Sequence, residues 1–178
     1  MTTQWKARLF VVGLVVAPWS LSLTGCNLDE LKKANEKVAE SNELFDDART
    51  LAKKADALKA EAADADEPAR KAGGKKCKAK YDEASEKLDD AAKLVKEASK
   101  LRVSKEFGKY LSLKSKQFGK VSEGLGAHAG MCVQLSKEPD QEKLEKLVKE
   151  AKAAFAEADD LSDEAEKIRK DNPTQFKD

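Results

Sequence analysis

Three cysteines and one histidine are the side chains of this 178-residue chain best suited to chemistry. Cys77, His128 and Cys132 invite comparison with a thiol site, and His128 lies four residues from Cys132. A nucleophilic or redox thiol needs an activated thiolate with access to substrate. A metal site on helices needs partners at helical spacing, such as Glu-x-x-His or His-x-x-x-His. Neither pattern surrounds His128, and Glu123 and Gln134 do not complete a set. No nucleophile–base pair or cofactor loop can be named either, so the chain reads as non-enzymatic and without a cofactor. His128 reads as a seam histidine with a local hydrogen bond.

The elements that carry these residues are helical. Charged residues make up 38% of the chain and aromatics only 6%. Such a composition favours long surface helices over sheet. The first helix opens at Asn27, with Glu30 in a capping-box position. Its apolar stripe runs through Leu28, Leu31, Val38, Phe45, Ala48, Leu51, Ala55, Leu58 and Ala62. The stripe ends near Asp66, where Pro68 and the Gly73-Gly74 pair read as a break. A second helix is expected from about Lys75 to Leu101. Its seam, Cys77, Tyr81, Ala84, Leu88, Ala91, Val95 and Ala98, steps alternately by four and three. A third seam runs through Phe107, Leu111, Lys114, Phe118, Val121, Leu125, His128, Cys132 and Leu135. The two seams are out of phase, and Ser104 can cap a new helix between them. This predicts a hairpin with its turn at 102–106. The alternative is one continuous helix with a stutter in its repeat. The fourth helix follows Lys137-Glu138-Pro139-Asp140 and ends at Asn172-Pro173. The predicted fold is all-α, an elongated up-down-up-down four-helix bundle with coiled-coil-like seams. Residues 26–171 form its single domain and 172–178 a frayed tail.

The midpoint of positions 77 and 132 falls between 104 and 105, at the proposed turn. In an antiparallel hairpin, residues equidistant from the turn lie side by side. Cys77 and Cys132 also occupy the facing seams, so a disulfide is expected. The competing reading is two buried free thiols.

The N-terminal stretch is not part of the fold. Lys6 and Arg8 precede an apolar run from Leu9 to Val16, which Pro18, Ser20 and Ser22 then break. That is the order of a secretory signal peptide, residues 1–25, and the run is too short to span a membrane. Leu23-Thr24-Gly25-Cys26 resembles the lipobox of bacterial lipoproteins. The resemblance covers residues 1–26 alone. It implies cleavage before Cys26, thioether lipidation of Cys26 and acylation of the new N-terminus. It further implies a cell-envelope protein, anchored to the outer membrane if the host is Gram-negative, because Asn27 replaces the Asp of inner-membrane retention. An oxidising compartment also suits the Cys77–Cys132 pair, since Cys26 is spent on lipid.

Removing residues 1–25 changes the balance from 34 basic and 33 acidic residues to 32 and 33. Nothing in that balance draws the protein to nucleic acid. The bases are unevenly placed, however: nine of them against two acids lie between Lys93 and Lys120. If the first helix leaves a membrane, the second returns to it. Lys100, Arg102, Lys105 and Lys109 would then form a basic tip facing anionic headgroups. The competing reading is a solvated face matched to acidic neighbours. A last feature, Gly124, Gly126 and Gly130, reads as a close helix crossing, or else as the lining of a ligand pocket near Tyr81, Phe107, Tyr110 and Phe118. The expected function is that of a lipid-anchored envelope scaffold or protein-interaction module, with another envelope protein as partner. The alternative is a helical binder of a small ligand or client protein.

Overall fold

Small side chains repeat every seventh residue along the first helix, and they set how closely it can be approached. A computed structural model describes residues 28–137 and 139–176. It contains α1 (Leu28–Ala63), α2 (Glu67–Ala98), α3 (Lys105–Leu135) and α4 (Gln141–Asp171), followed by a single 3₁₀ turn, Pro173–Gln175. The helices run up, down, up and down as an all-α four-helix bundle. Packing is extensive between α1 and α2, α2 and α3, and α3 and α4, while α1 touches α3 over a short stretch. Among the described residues α1 and α4 have no comparable contact, so the bundle is open along that side.

Ala34, Ser41, Ala48, Ala55 and Ala62 of α1 are all buried. On α2 the matching row is Cys77, Ala84, Ala91 and Ala98, each without exposed surface. With only Cβ or Oγ between them, two backbones can come close. Ser41 Oγ uses that closeness to donate to the Ala91 carbonyl at 3.2 Å. Across α2 and α3, Ser85 meets Ser122 (Oγ to Oγ 2.7 Å), and Ser115 Oγ donates to the Ala92 carbonyl at 2.8 Å. These contacts give the hairpin register expected from the cysteine positions. Ser104 caps α3 as expected, its hydroxyl accepting from the Phe107 amide at 3.2 Å. The chain therefore makes a hairpin through 99–104, not one continuous helix.

Two boundaries differ from the sequence reading. Helix α2 starts at Glu67, well before Lys75, and includes both glycines. Asp66 caps it, accepting from the Ala69 amide at 3.0 Å, and Pro68 sits in the first turn, where its missing N–H costs nothing. The glycines mark close approach and not a break. A Cβ on Gly73 would lie 2.7 Å from Ala62 Cβ, and one on Gly74 would lie 2.7 Å from the Cys132 carbonyl oxygen. The second correction concerns the tail read as frayed. Asn172 Nδ2 donates to the Ile168 carbonyl, Ser104 Oγ donates to Gln175 Oε1 at 2.6 Å, and Phe176 packs edge-on to Tyr110 and Phe107. An aromatic ring with two aromatic partners ties the chain down through residue 176. Pro139 also lies just outside α4, whose cap is Asp140.

The glycines yield a first prediction. In a helix interior, Gly→Ala ordinarily stabilises by about 1 kcal/mol. Gly126 has nothing within 4 Å of an added Cβ, so Gly126→Ala should show that gain. At Gly74 the new carbon would press on backbone atoms of Cys132 and Ser136. Gly74→Ala should instead lose about 1–3 kcal/mol, the usual range for overpacking. Urea denaturation of the two variants beside the parent measures both signs.

Candidate functional site

Cys26 and the segment before it lie outside the described residues. Cys77 and Cys132 are fully buried and at disulfide distance, with Cα atoms 5.9 Å apart. They sit near the end of the bundle that holds the α1–α2 and α3–α4 connections, since Gly74 lies against Cys132 and Ser136.

The opposite end gathers the start of α1, the α2–α3 turn and the C-terminal segment. Glu30 accepts a hydrogen bond from the Arg102 backbone amide at 2.6 Å, and Gln175 reaches Ser104. Lys100, Arg102, Lys105 and Lys109 are all exposed here. Lys109 lies 3.9 Å from Glu164 of α4. Lys100, Arg102 and Lys105 make no ion pair among the described residues. Two bases in the rest of the stretch are matched internally. Lys120 pairs with Glu123 and with Glu157 of α4, and Lys93 pairs with Asp90. Internal matching and a free basic tip thus coexist in different parts of the same stretch.

The four aromatics considered as a pocket are not brought together. Phe107 and Tyr110 pack with Phe176, Phe118 stacks on Phe45 of α1, and Tyr81 meets His128. They are spread along helices of 31 and 32 residues, too far apart to share one cavity. The glycine stretch is a helix crossing over much of its length. The Phe155 ring lies over Gly124 and the Leu147 side chain over Gly130, within 2.8 Å of where a Cβ would stand.

The structure also assembles two polar groupings that sequence reasoning missed. In the first, Tyr81 donates to Asp56 Oδ1 at 2.6 Å, and His128 Nδ1 lies 3.2 Å from the same hydroxyl. Tyrosine has one proton, and the shorter bond takes it, so His128 is the donor to Tyr81 Oη and carries its proton on Nδ1. Burial pulls the His128 pKa down to about 4, with the nearby Lys59 ammonium adding to the effect against Asp56. Burial and the Asp56 contact push the Tyr81 phenol well above its ordinary value. The signal was available: positions 81 and 128 have the same midpoint as 77 and 132, so the register that pairs the cysteines pairs these two as well.

The second grouping is in the α3 seam. Lys114 is fully buried, and its ammonium donates to Gln117 Oε1 at 3.0 Å. The ammonium lies 5.8 Å from the Tyr110 ring centroid. Burial brings its pKa down to about 8, with Glu166 and Arg169 acting in opposite directions. Position 114 fits the heptad spacing, which carries no information about the cost of what occupies it.

Among the described residues no group of three His, Cys, Asp or Glu side chains is placed to hold a metal ion, and no helix is long and apolar enough to cross a membrane. Compared with protein-family models, curated proteins and solved structures, the chain matches none of them.

Proposed function

We propose that this chain is a lipid-anchored envelope protein that works as a scaffold or protein-interaction module. The observation that carries the proposal is the gathering of three features at one end of the bundle. Helix α1 begins at Leu28, close after Cys26, and the basic α2–α3 turn and the C-terminal segment lie beside it. An acyl chain on Cys26 would bring Lys100, Arg102 and Lys105 to the headgroup layer. A thioether lipid with an N-acyl group would anchor the chain stably, and the basic tip would then orient the bundle on the surface. Each cation near an anionic surface contributes about 1 kcal/mol. Helix α1 would then rise away from the surface by about 54 Å, from its 36 residues at 1.5 Å each. The partner would be a second envelope component, engaged along the charged outer helix faces. The filled crossing at Gly124 and Gly130 gives the small-ligand reading no support at that place.

Two measurements test the proposal. Expressed in a bacterial host and fed a labelled fatty acid, the chain should take up label, and Cys26→Ala should not. Absence of label in the parent overturns the anchoring. Unlipidated protein should bind vesicles containing anionic lipid weakly but measurably at low salt. Reversing Lys100, Arg102 and Lys105 to Glu should abolish that binding, and unchanged binding overturns the role of the tip.

A further inference from the structure

The chain Asp56–Tyr81–His128 is a polar path that runs from α1 through α2 to α3. Asp56 is exposed, Tyr81 is buried and His128 is half-buried. The His128 ring makes T-shaped contacts with Tyr81 at 5.3 Å and with Phe155 of α4 at 5.7 Å. From α1 the charges that face it are Asp56 and Lys59. Asp56 is already engaged by the tyrosine. Lys59 is half-buried, and its ammonium rests on Met131 Sδ of α3 at 3.6 Å, a weak acceptor.

The neutral imidazole suits this setting, because Nδ1–H serves Tyr81 and the other nitrogen needs no donor role. Adding a proton at Nε2 leaves the Tyr81 bond in place but creates a cation that the Lys59 ammonium and burial both oppose. The strain falls between α3, which carries His128, and α1, which carries Lys59. Helix α2 is tied to α3 through Cys77 and Cys132, whereas α1 is held without a covalent link, by apolar packing, the Ser41 hydrogen bond and exposed ion pairs such as Lys37–Glu97 and Lys87–Asp47. Exposed pairs of that kind hold weakly.

We propose that Asp56, Tyr81 and His128 form an acid-released latch, which keeps the second half of α1 seated on the α2–α3 hairpin and lets it go when His128 is protonated. The sign follows from linkage. With a folded-state pKa near 4 against 6.5 unfolded, His128 contributes stability that is complete above pH 6.5 and is lost as pH falls through 4. Over that window the equilibrium constant for release should rise by up to about 300-fold, the 2.5-unit gap expressed as a ratio.

His128 is the only histidine in the sequence, so its imidazole can be followed by NMR without assignment, in an untagged full chain. Amide exchange, corrected for its intrinsic pH dependence, reports release. Protection over residues 51–63 should fall with the midpoint of the imidazole titration while α2 and α3 stay protected. In His128→Gln, which stays uncharged, the acid-dependent loss over 51–63 should disappear. Lys59→Met keeps the histidine, and should raise its midpoint and that of the exchange change together. An imidazole midpoint near 6.5, loss of protection that persists in His128→Gln, or midpoints that separate in Lys59→Met would each overturn the latch.

Discussion

Reducing the Cys77–Cys132 pair should lower the thermal midpoint by roughly 10–15 °C without changing the fold. The two cysteines are 55 residues apart in sequence, and a cross-link of that span removes about 4 kcal/mol of unfolded-chain entropy. For a chain of this size each 1 kcal/mol moves the midpoint by about 2–4 °C. The fold should survive reduction because the hairpin register has other supports. Ser85 with Ser122 and Ser115 with Ala92 fix the same alignment, and Gly74 admits the end of α3 at backbone distance. The measurement is a pair of melts with and without reductant in a Cys26→Ala background, which leaves only this pair of thiols. A free-thiol assay should read zero before reduction and two after. Cys77→Ala with Cys132→Ala should melt where the reduced parent melts and ignore reductant. Equal melts for oxidised and reduced parent would show that the bond carries no stability.

That pair also marks how far the sequence could be read. Heptad spacing fixes which residues share a face, and a hairpin's midpoint fixes which of them are opposite. Together they placed Cys77 beside Cys132 and the turn at Ser104. The same arithmetic reaches Tyr81 and His128, which share that midpoint. Glycine was harder. Gly73-Gly74 reads as a break by propensity, yet in the fold it is where α2 nears both Ala62 of α1 and the last turn of α3. Propensity is a local quantity, and the contact that overrides it joins residues some 60 positions apart. The tail was illegible for a similar reason. Phe176 follows a Pro and a Gln, with no periodicity to announce it, and its aromatic partners lie on α3. That α1 and α4 have no extensive packing among the described residues was also beyond reach, since amphipathic stripes show that a helix has a buried face and not which helix covers it. Cys26, the residue with the most specific motif around it, stays where the sequence left it.

Lys114→Met should make the protein more stable at neutral pH, not less. The ammonium is fully buried, and its one hydrogen-bond acceptor is Gln117. A folded-state pKa near 8 against 10.5 means that keeping it charged costs on the order of 3 kcal/mol. Below pH 8 both folded and unfolded chains hold the proton, so the whole cost is present. Between pH 8 and 10.5 the folded protein has released the proton while the unfolded chain still holds it. Stability therefore rises with pH across that window and then levels off. Tyr81 and Tyr110 work against this above pH 10, because both phenols keep their protons in the fold beyond the point where the unfolded chain gives them up. Denaturation midpoints between pH 7.5 and 9.5 isolate the lysine. Parent stability should climb there, and Lys114→Met should be flat. Its gain at pH 7 should be smaller than the full penalty, about 1–2 kcal/mol, because Gln117 loses its donor while buried. Lys114→Met with Gln117→Leu removes that debt and should gain the remainder, as apolar replacement of a buried ionic group often does. A loss of stability in the double variant would mean that Tyr110 and Glu166 hold the ammonium more strongly than burial and Arg169 oppose it. A gain would mean that the lysine is not there for stability.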